Sequence, residues 1–208
     1  MTEEEARSWV AYSFDVPRGT MEKLDRLAAL VAEENERQNL VSSSSLAQIW
    51  VRHIADSAQL LRFAPYAQAS WIDLGTGAGF PGLVVALLHD GPVTLVEGRR
   101  LRAEFLRRAA AELAPAVEIV ATRAERLEPR PFDVISARAF APLPRLFELG
   151  TAFSTAKTRW ILPKGRNAQS ELEAAESSWQ GDFRLEPSIT DEDASILVVE
   201  RVARKRKA

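Results

Sequence analysis

The chain predicts an α/β fold: a doubly wound, mostly parallel sheet of seven strands, with an antiparallel hairpin at one edge and a helical cap at the N-terminus. Three observations carry this. From about residue 70 onward, apolar strand-like runs alternate with helical stretches, as successive β-α-β units require. The run Trp71-Ile-Asp-Leu-Gly-Thr-Gly-Ala-Gly-Phe-Pro-Gly82 ends the first strand in a glycine-rich turn that opens a helix. The last two strand-like runs have no helix between them, so they pair as a hairpin and not through a crossover.

Taken in order, Leu24, Leu27, Leu30 and Val31 recur at helical spacing after Thr20. A second helix is expected from Ser45, with Gln48 completing a capping-box pattern, and Leu46, Ile49, Trp50, Ile54, Ala58 and Leu61 line one face of it. The polar stretch between them reads as a short loop. Strands are then expected at about 70–74, 93–96, 117–121, 132–136, 158–162, 183–188 and 195–200, with helices at about 82–89, 99–113, 143–150 and 168–178. The organisation is therefore a helical cap over residues 1–66, a core over 67–201 and a basic tail over 202–208.

Composition bounds the function. With 208 residues, 46% of them apolar, the chain is long enough for one sizeable core plus an accessory element. No cysteine is present, which removes disulfides, cysteine metal sites and cysteine nucleophiles, and no metal site is expected. No apolar run of about 20 residues spans a bilayer, and Glu3, Glu4 and Glu5 do not fit a signal peptide. A cytoplasmic, monomeric protein is expected. The net charge of −2 confines nucleic-acid contacts to local patches. Arg99, Arg100, Arg102, Arg107 and Arg108 form one candidate, and Lys205, Arg206 and Lys207 another; a solvated helix face and a frayed tail are the plain alternatives.

The chemistry starts at the glycine turn. Gly75, Gly77 and Gly79 allow close approach of a ligand to the backbone, and Pro81 suits the first helical turn. Such a turn at the carboxyl end of a strand makes a nucleotide-shaped crevice. Asp73 at its lip would repel a pyrophosphate and attract an ammonium or sulfonium group, and S-adenosylmethionine carries both. A dinucleotide oxidoreductase is the rival, because Gly77-Ala-Gly-Phe-Pro-Gly82 also fits the Gly-x-Gly-x-x-Gly spacing. Glu97, at the end of the second strand, would bind ribose hydroxyls in either case. The apolar run stops at Leu74, which favours the sulfonium donor and the Rossmann-like class I methyltransferase arrangement of five parallel strands followed by a hairpin.

Further motifs give a resemblance. Asn35 to Leu40, Trp50-Val-Arg-His-Ile-Ala-Asp-Ser57, the glycine turn with Phe80-Pro81-Gly82, Arg123-Ala-Glu125, Phe132-Asp-Val-Ile-Ser-Ala-Arg-Ala-Phe140 and Leu162-Pro-Lys-Gly165 together resemble the RsmG family, also called glucose-inhibited division protein B. The resemblance implies a methyltransferase acting on N7 of one guanosine in 16S ribosomal RNA, with that RNA or the small ribosomal subunit as partner. It implies cofactor contacts at Gly75, Phe80, Ala124, Glu125 and Arg138, and RNA contacts at Asn39, His53, Arg123, Arg138 and Lys164. Glu125 reads equally as a surface charge, Arg138 as the partner of Asp133 or Glu148, His53 as a core histidine bound to Asp56 or a carbonyl, and Asn39 as a turn residue. Four positions depart from the family pattern: Glu34, Val41, Ala137 and Ser195.

Guanine N7 has a free lone pair and no proton, so no general base is essential, and Arg138 and Lys164 are candidates for positioning only. The chain lacks the Asn/Asp-Pro-Pro-aromatic motif of amino-directed methyltransferases after the fourth strand. A small-molecule methyltransferase with the same core, or a noncatalytic RNA-binding module, are the alternatives.

Overall fold

The computed structural model describes residues 1–206. Lys207, part of the expected basic tail, lies outside them. One seven-stranded sheet organises the chain. Its strands are β1 Trp71–Leu74, β2 Val93–Val96, β3 Glu118–Val120, β4 Val134–Ser136, β5 Arg159–Lys164, β6 Trp179–Pro187 and β7 Ser195–Arg204, in the order β3-β2-β1-β4-β5-β7-β6. The first five run parallel, while β7 is antiparallel to both β5 and β6, so the expected hairpin forms the edge. β1 and β4 are buried at every position, as strands covered on both faces must be.

The helices are α1 Glu3–Ser13, α2 Arg18–Asn35, α3 Ser43–Leu46, α4 Asp56–Ala58, α5 Gly82–Leu88, α6 Arg100–Leu113, α7 Leu143–Gly150 and α8 Ala168–Glu176. Between β1 and β5 each crosses from one strand to the next parallel one, and their apolar sides make two cores. Leu24, Leu27, Val31, Leu83, Phe105 and Leu106 belong to the first, which joins the N-terminal helices to one face of the sheet. Leu143, Phe147, Trp160 and Trp179 anchor the second, on the other face.

The chain departs from the sequence reading in three ways. Helix α1 is present, started by a capping box in which the Thr2 hydroxyl and the Glu5 carboxylate each accept from the other's backbone N–H. Glu3 carries it into the fold, accepting from the Trp50 and Val51 amides at 3.0 and 2.9 Å. Second, the helix expected from Ser45 is broken up. Ser42, not Ser45, caps the four-residue α3, and the chain then winds as a π-helical turn over Trp50–Ala55, through α4, into a 3₁₀ turn over Gln59–Phe63. Local spacing cannot show this widening, because the expected apolar face is nearly the same. Third, β7 continues through Arg204, and Lys205 donates from its backbone to the Ser178 carbonyl, so residues 202–204 of the expected tail are strand.

Candidate active site

Two cavities open beside one another at the carboxyl ends of the parallel strands. The smaller, of about 450 Å³, is lined by Gly75 after β1, Glu97 and Arg99 after β2, Arg123, Ala124 and Glu125 after β3, and Phe140 after β4. The larger, of about 840 Å³, is lined by Arg52, His53 and Asp56 of the N-terminal region, Arg138 after β4 and Lys164 at the end of β5. Both volumes fall in the range of ligand sites.

Backbone geometry at the turn explains its composition. Gly75 has φ of 70°, and a Cβ built there would lie 2.2 Å from Phe140 Cδ2. At Gly82 a Cβ would meet Leu95 at 2.1 Å and Asp73 Oδ2 at 2.8 Å. Asp73 is fully buried, with Oδ2 accepting from the Gly82 amide at 3.0 Å and Oδ1 from the Ser136 hydroxyl at 2.7 Å. Ser136 in turn accepts from the Trp71 indole at 2.8 Å. Burial pushes the Asp73 carboxyl up to about 6, opposed by the hydrogen bonds from Ser136 and Gly82. The sequence reading therefore needs correction here. Asp73 lines neither cavity; it ties β1, β4 and the N-terminus of α5 together, and reaches a ligand only through the shape of the turn.

Phe80 is corrected in the same sense. It is buried behind the larger cavity, where its ring stacks on His53 with centroids 4.8 Å apart and lies under the Arg138 guanidinium at 5.6 Å. It is a shelf for those two side chains and not an open wall.

Glu97 is an anchored acid in the lining of the smaller cavity. Its two oxygens accept from the Gly77 and Arg99 amides at 3.0 and 2.7 Å, which fixes the carboxylate while leaving lone pairs unused. Ala124 and Glu125 line the same cavity, and Arg145 reaches Glu125 at 3.3 Å.

Arg138 pairs with neither Asp133 nor Glu148. Nη1 donates to the Arg52 carbonyl at 3.0 Å and to Asp56 at 3.3 Å, and Nη2 donates to His53 Nδ1 at 2.7 Å. A guanidinium has no acceptor, so Nδ1 must hold a lone pair and the imidazole proton sits on Nε2. Nε2 is buried with no hydrogen-bond partner among the described residues. Desolvation, then the charges of Arg138 and Arg52, push His53 down to about 3, so the ring is neutral at neutral pH. His53 is therefore bound to Arg138, and not to Asp56 or a carbonyl. Asp56 also accepts from Gln59 and Thr190, each at 3.0 Å.

Lys164 is nearly buried and meets Glu171 at 2.8 Å, while Arg52 meets Asp191 at 2.8 Å. The larger cavity thus holds three cations, each with its own carboxylate. The structure separates the five expected RNA residues: His53, Arg138 and Lys164 share this cavity, whereas Arg123 lines the smaller one. Asn39 is exposed and lines neither, but its carbonyl accepts from Arg102, which belongs to the smaller cavity's rim. Asp191 and Glu171 escaped the sequence reading, because no local motif marks a residue brought in by a loop or by the helix after β5, and Phe140 closed a quoted motif without being given a role.

A doubly wound sheet with an antiparallel edge pair, a glycine turn after β1 and an anchored acid after β2 defines an S-adenosylmethionine-dependent methyltransferase. Solved structures agree at the level of fold: a TehB-like SAM-dependent methyltransferase from Corynebacterium glutamicum superposes with TM-score 0.58 at 14% identity, covering 83% of this chain and 98% of that one. A variant of MtNAS in complex with S-adenosylmethionine gives TM-score 0.60 at 15% identity, covering 96% and 87%. Sequence relatives are much nearer. Ribosomal RNA small subunit methyltransferase G of Rhizorhabdus wittichii is 53% identical, covering 100% of this chain and 96% of its own length. The protein of that name from Novosphingobium aromaticivorans is 48% identical, covering 100% and 92%. The family model described as GidB, rRNA small subunit methyltransferase G, matches residues 20–195, and the chain belongs to that family.

The smaller cavity fits the nucleoside end of the cofactor: a pinned carboxylate for ribose hydroxyls, the apolar Ala124 beside it, and a glycine whose missing side chain leaves the backbone open.

Proposed function

We propose that this chain methylates N7 of a guanosine in 16S ribosomal RNA, as a monomer in the cytoplasm, with residues 1–66 forming one wall of the acceptor cavity. Glu97, Ala124 and Glu125 would hold the nucleoside of S-adenosylmethionine, whose sulfonium would supply a methyl group to the N7 lone pair, with the electron pair of the broken carbon–sulfur bond left on sulfur. The observation that carries the reading is a cation-bearing cavity, next to the glycine turn, in which each lining carboxylate, Asp56, Glu171 and Asp191, is engaged in an ion pair. His53 is neutral, with its Nδ1 lone pair already engaged by Arg138. An acceptor that must lose a proton would find, among the described residues of this lining, only carboxylates already paired with cations, whereas N7 has no proton to lose.

The chain's own work is alignment. Arg138 and Lys164 face the acceptor from two sides, Gly75 and Gly77 shape the passage for the methionine part, and Arg123 and Asn39 lie outward, where flanking phosphates would run. Because each cation is paired with a carboxylate, the positive charge that arrives on the purine enters a nearly neutral cavity. The test is incubation of the protein with labelled cofactor and small ribosomal subunits lacking the modification, followed by mapping of the methylated nucleotide. Label on an exocyclic amine, or on a metabolite instead of RNA, would overturn the assignment.

A further inference from the structure

The two cavities share one wall. Ala139, Phe140 and Ala141 line both, so the short segment after β4 separates the nucleoside side from the acceptor side. Phe140 does the separating. Its ring lies against the bare backbone of Gly75, with Cδ2 and Cε2 at 2.2 and 2.9 Å from where a Cβ would stand. The ring is only partly buried, at the margin of the second core. Just before it, Ala139 has φ of 50°. An alanine holds that left-handed conformation at a cost, and only while its surroundings impose it. A methyl donor with its nucleoside at Glu97 and its methyl group in the acceptor cavity must cross Gly75, where the ring now lies.

Resting on the cofactor reading above, we propose that Phe140 is a movable partition. It covers Gly75 when the cofactor is absent, turns into the larger cavity when the cofactor is bound, and there offers its face to the acceptor purine. Displacing the ring costs cofactor affinity, and stacking on the base restores it, so the two ligands favour one another's binding by the same factor. Cofactor binds first, because the ring becomes available to the RNA only after it has left Gly75.

The test places 4-fluorophenylalanine at position 140 of the full chain and follows its fluorine resonance during titration with S-adenosylhomocysteine. The resonance should move with saturation. In parallel, Phe140→Ala and Phe140→Leu should bind S-adenosylhomocysteine as tightly as the unaltered chain or several-fold more tightly in calorimetry. Their KM for unmodified small subunits should rise about tenfold, the scale of one lost base–aromatic stack. Phe140→Tyr should restore it. Phe140→Leu keeps most of the apolar volume, so its melting temperature checks the fold. A resonance that stays still while the ligand binds would overturn the partition alone. So would an alanine variant that loses cofactor affinity with its RNA KM unchanged, since Phe140 would then be a fixed wall of the nucleoside site. No binding of S-adenosylhomocysteine by the unaltered chain would overturn the cofactor reading itself.

Discussion

Replacing Arg138 with methionine keeps the length of the side chain and removes its charge and its donors. Three contacts are lost together: the Arg52 carbonyl at 3.0 Å, Asp56 at 3.3 Å and His53 Nδ1 at 2.7 Å. Breaking a buried ion pair by deleting one partner costs about 3–5 kcal/mol. Here the sum is smaller, because Asp56 keeps its bonds from Gln59 and Thr190 and its side chain remains 17% exposed. About 2–3 kcal/mol is expected, equivalent to roughly 4–12 °C in Tm for a domain of this size. Denaturant unfolding measures it, with an unchanged m-value showing that the native state stays compact. A second readout separates this site from a generic loss of packing. With the Arg138 charge gone, the His53 imidazole should titrate higher than about 3 by NMR, while burial keeps it below its ordinary value. A stability loss under about 0.5 kcal/mol, or a His53 titration that does not move, would refute the claim that Arg138 fastens the acceptor cavity to the N-terminal region.

Gly75→Ala should lower S-adenosylhomocysteine affinity at least tenfold in calorimetry, since an alanine at φ of 70° is strained by about 1–2 kcal/mol and its methyl group would stand in the passage for the methionine part. Lys164→Ala should reduce methyl transfer to small subunits about tenfold or more while changing S-adenosylhomocysteine affinity less than threefold; stability should fall by under about 1 kcal/mol, because Glu171 is left 39% exposed and able to hydrate. The single-turnover rate should be flat from about pH 6.5 to 8.5, because His53 titrates far below that window and the carboxylates lining the cavity are each held in an ion pair; a steep bell would reveal a missed acid or base. Stability, by contrast, should respond to acid. His53 is depressed on folding, so the unfolded chain takes up its proton first and the native state loses ground as pH falls from about 6.5 toward 3. Asp73 is raised to about 6, so its contribution has the opposite sign: it is present below about pH 4 and lost as pH rises through 6. Urea denaturation of His53→Asn against the unaltered chain should therefore show the variant gaining relative stability on going from pH 7 to 4, by about 3 kcal/mol.

Much was legible in the chain itself. Alternating apolar runs fixed all seven strands to within a few residues, apart from β6, which begins earlier at Trp179, and the far end of β7; the helixless gap before β7 foretold the edge hairpin. These are local properties: strand and helix periods, turn glycines and an acid at the end of β2 need no distant partner to be read. Asp73 and Phe80 were recognised as belonging to the site but misplaced within it, because spacing along a strand or turn cannot tell a side chain facing a cavity from one buried behind it. Pairings across about 80 or more residues, such as Arg138 with His53 and Asp56 or Arg52 with Asp191, were decided only when the helices settled against the sheet. So was the division of the crevice by Phe140, since its ring could find Gly75 only after β1 and β4 became neighbours. Sequence determined the class of cofactor and the elements that hold it; tertiary packing determined which side chains face the ligand, because that choice depends on what fills the space behind each of them.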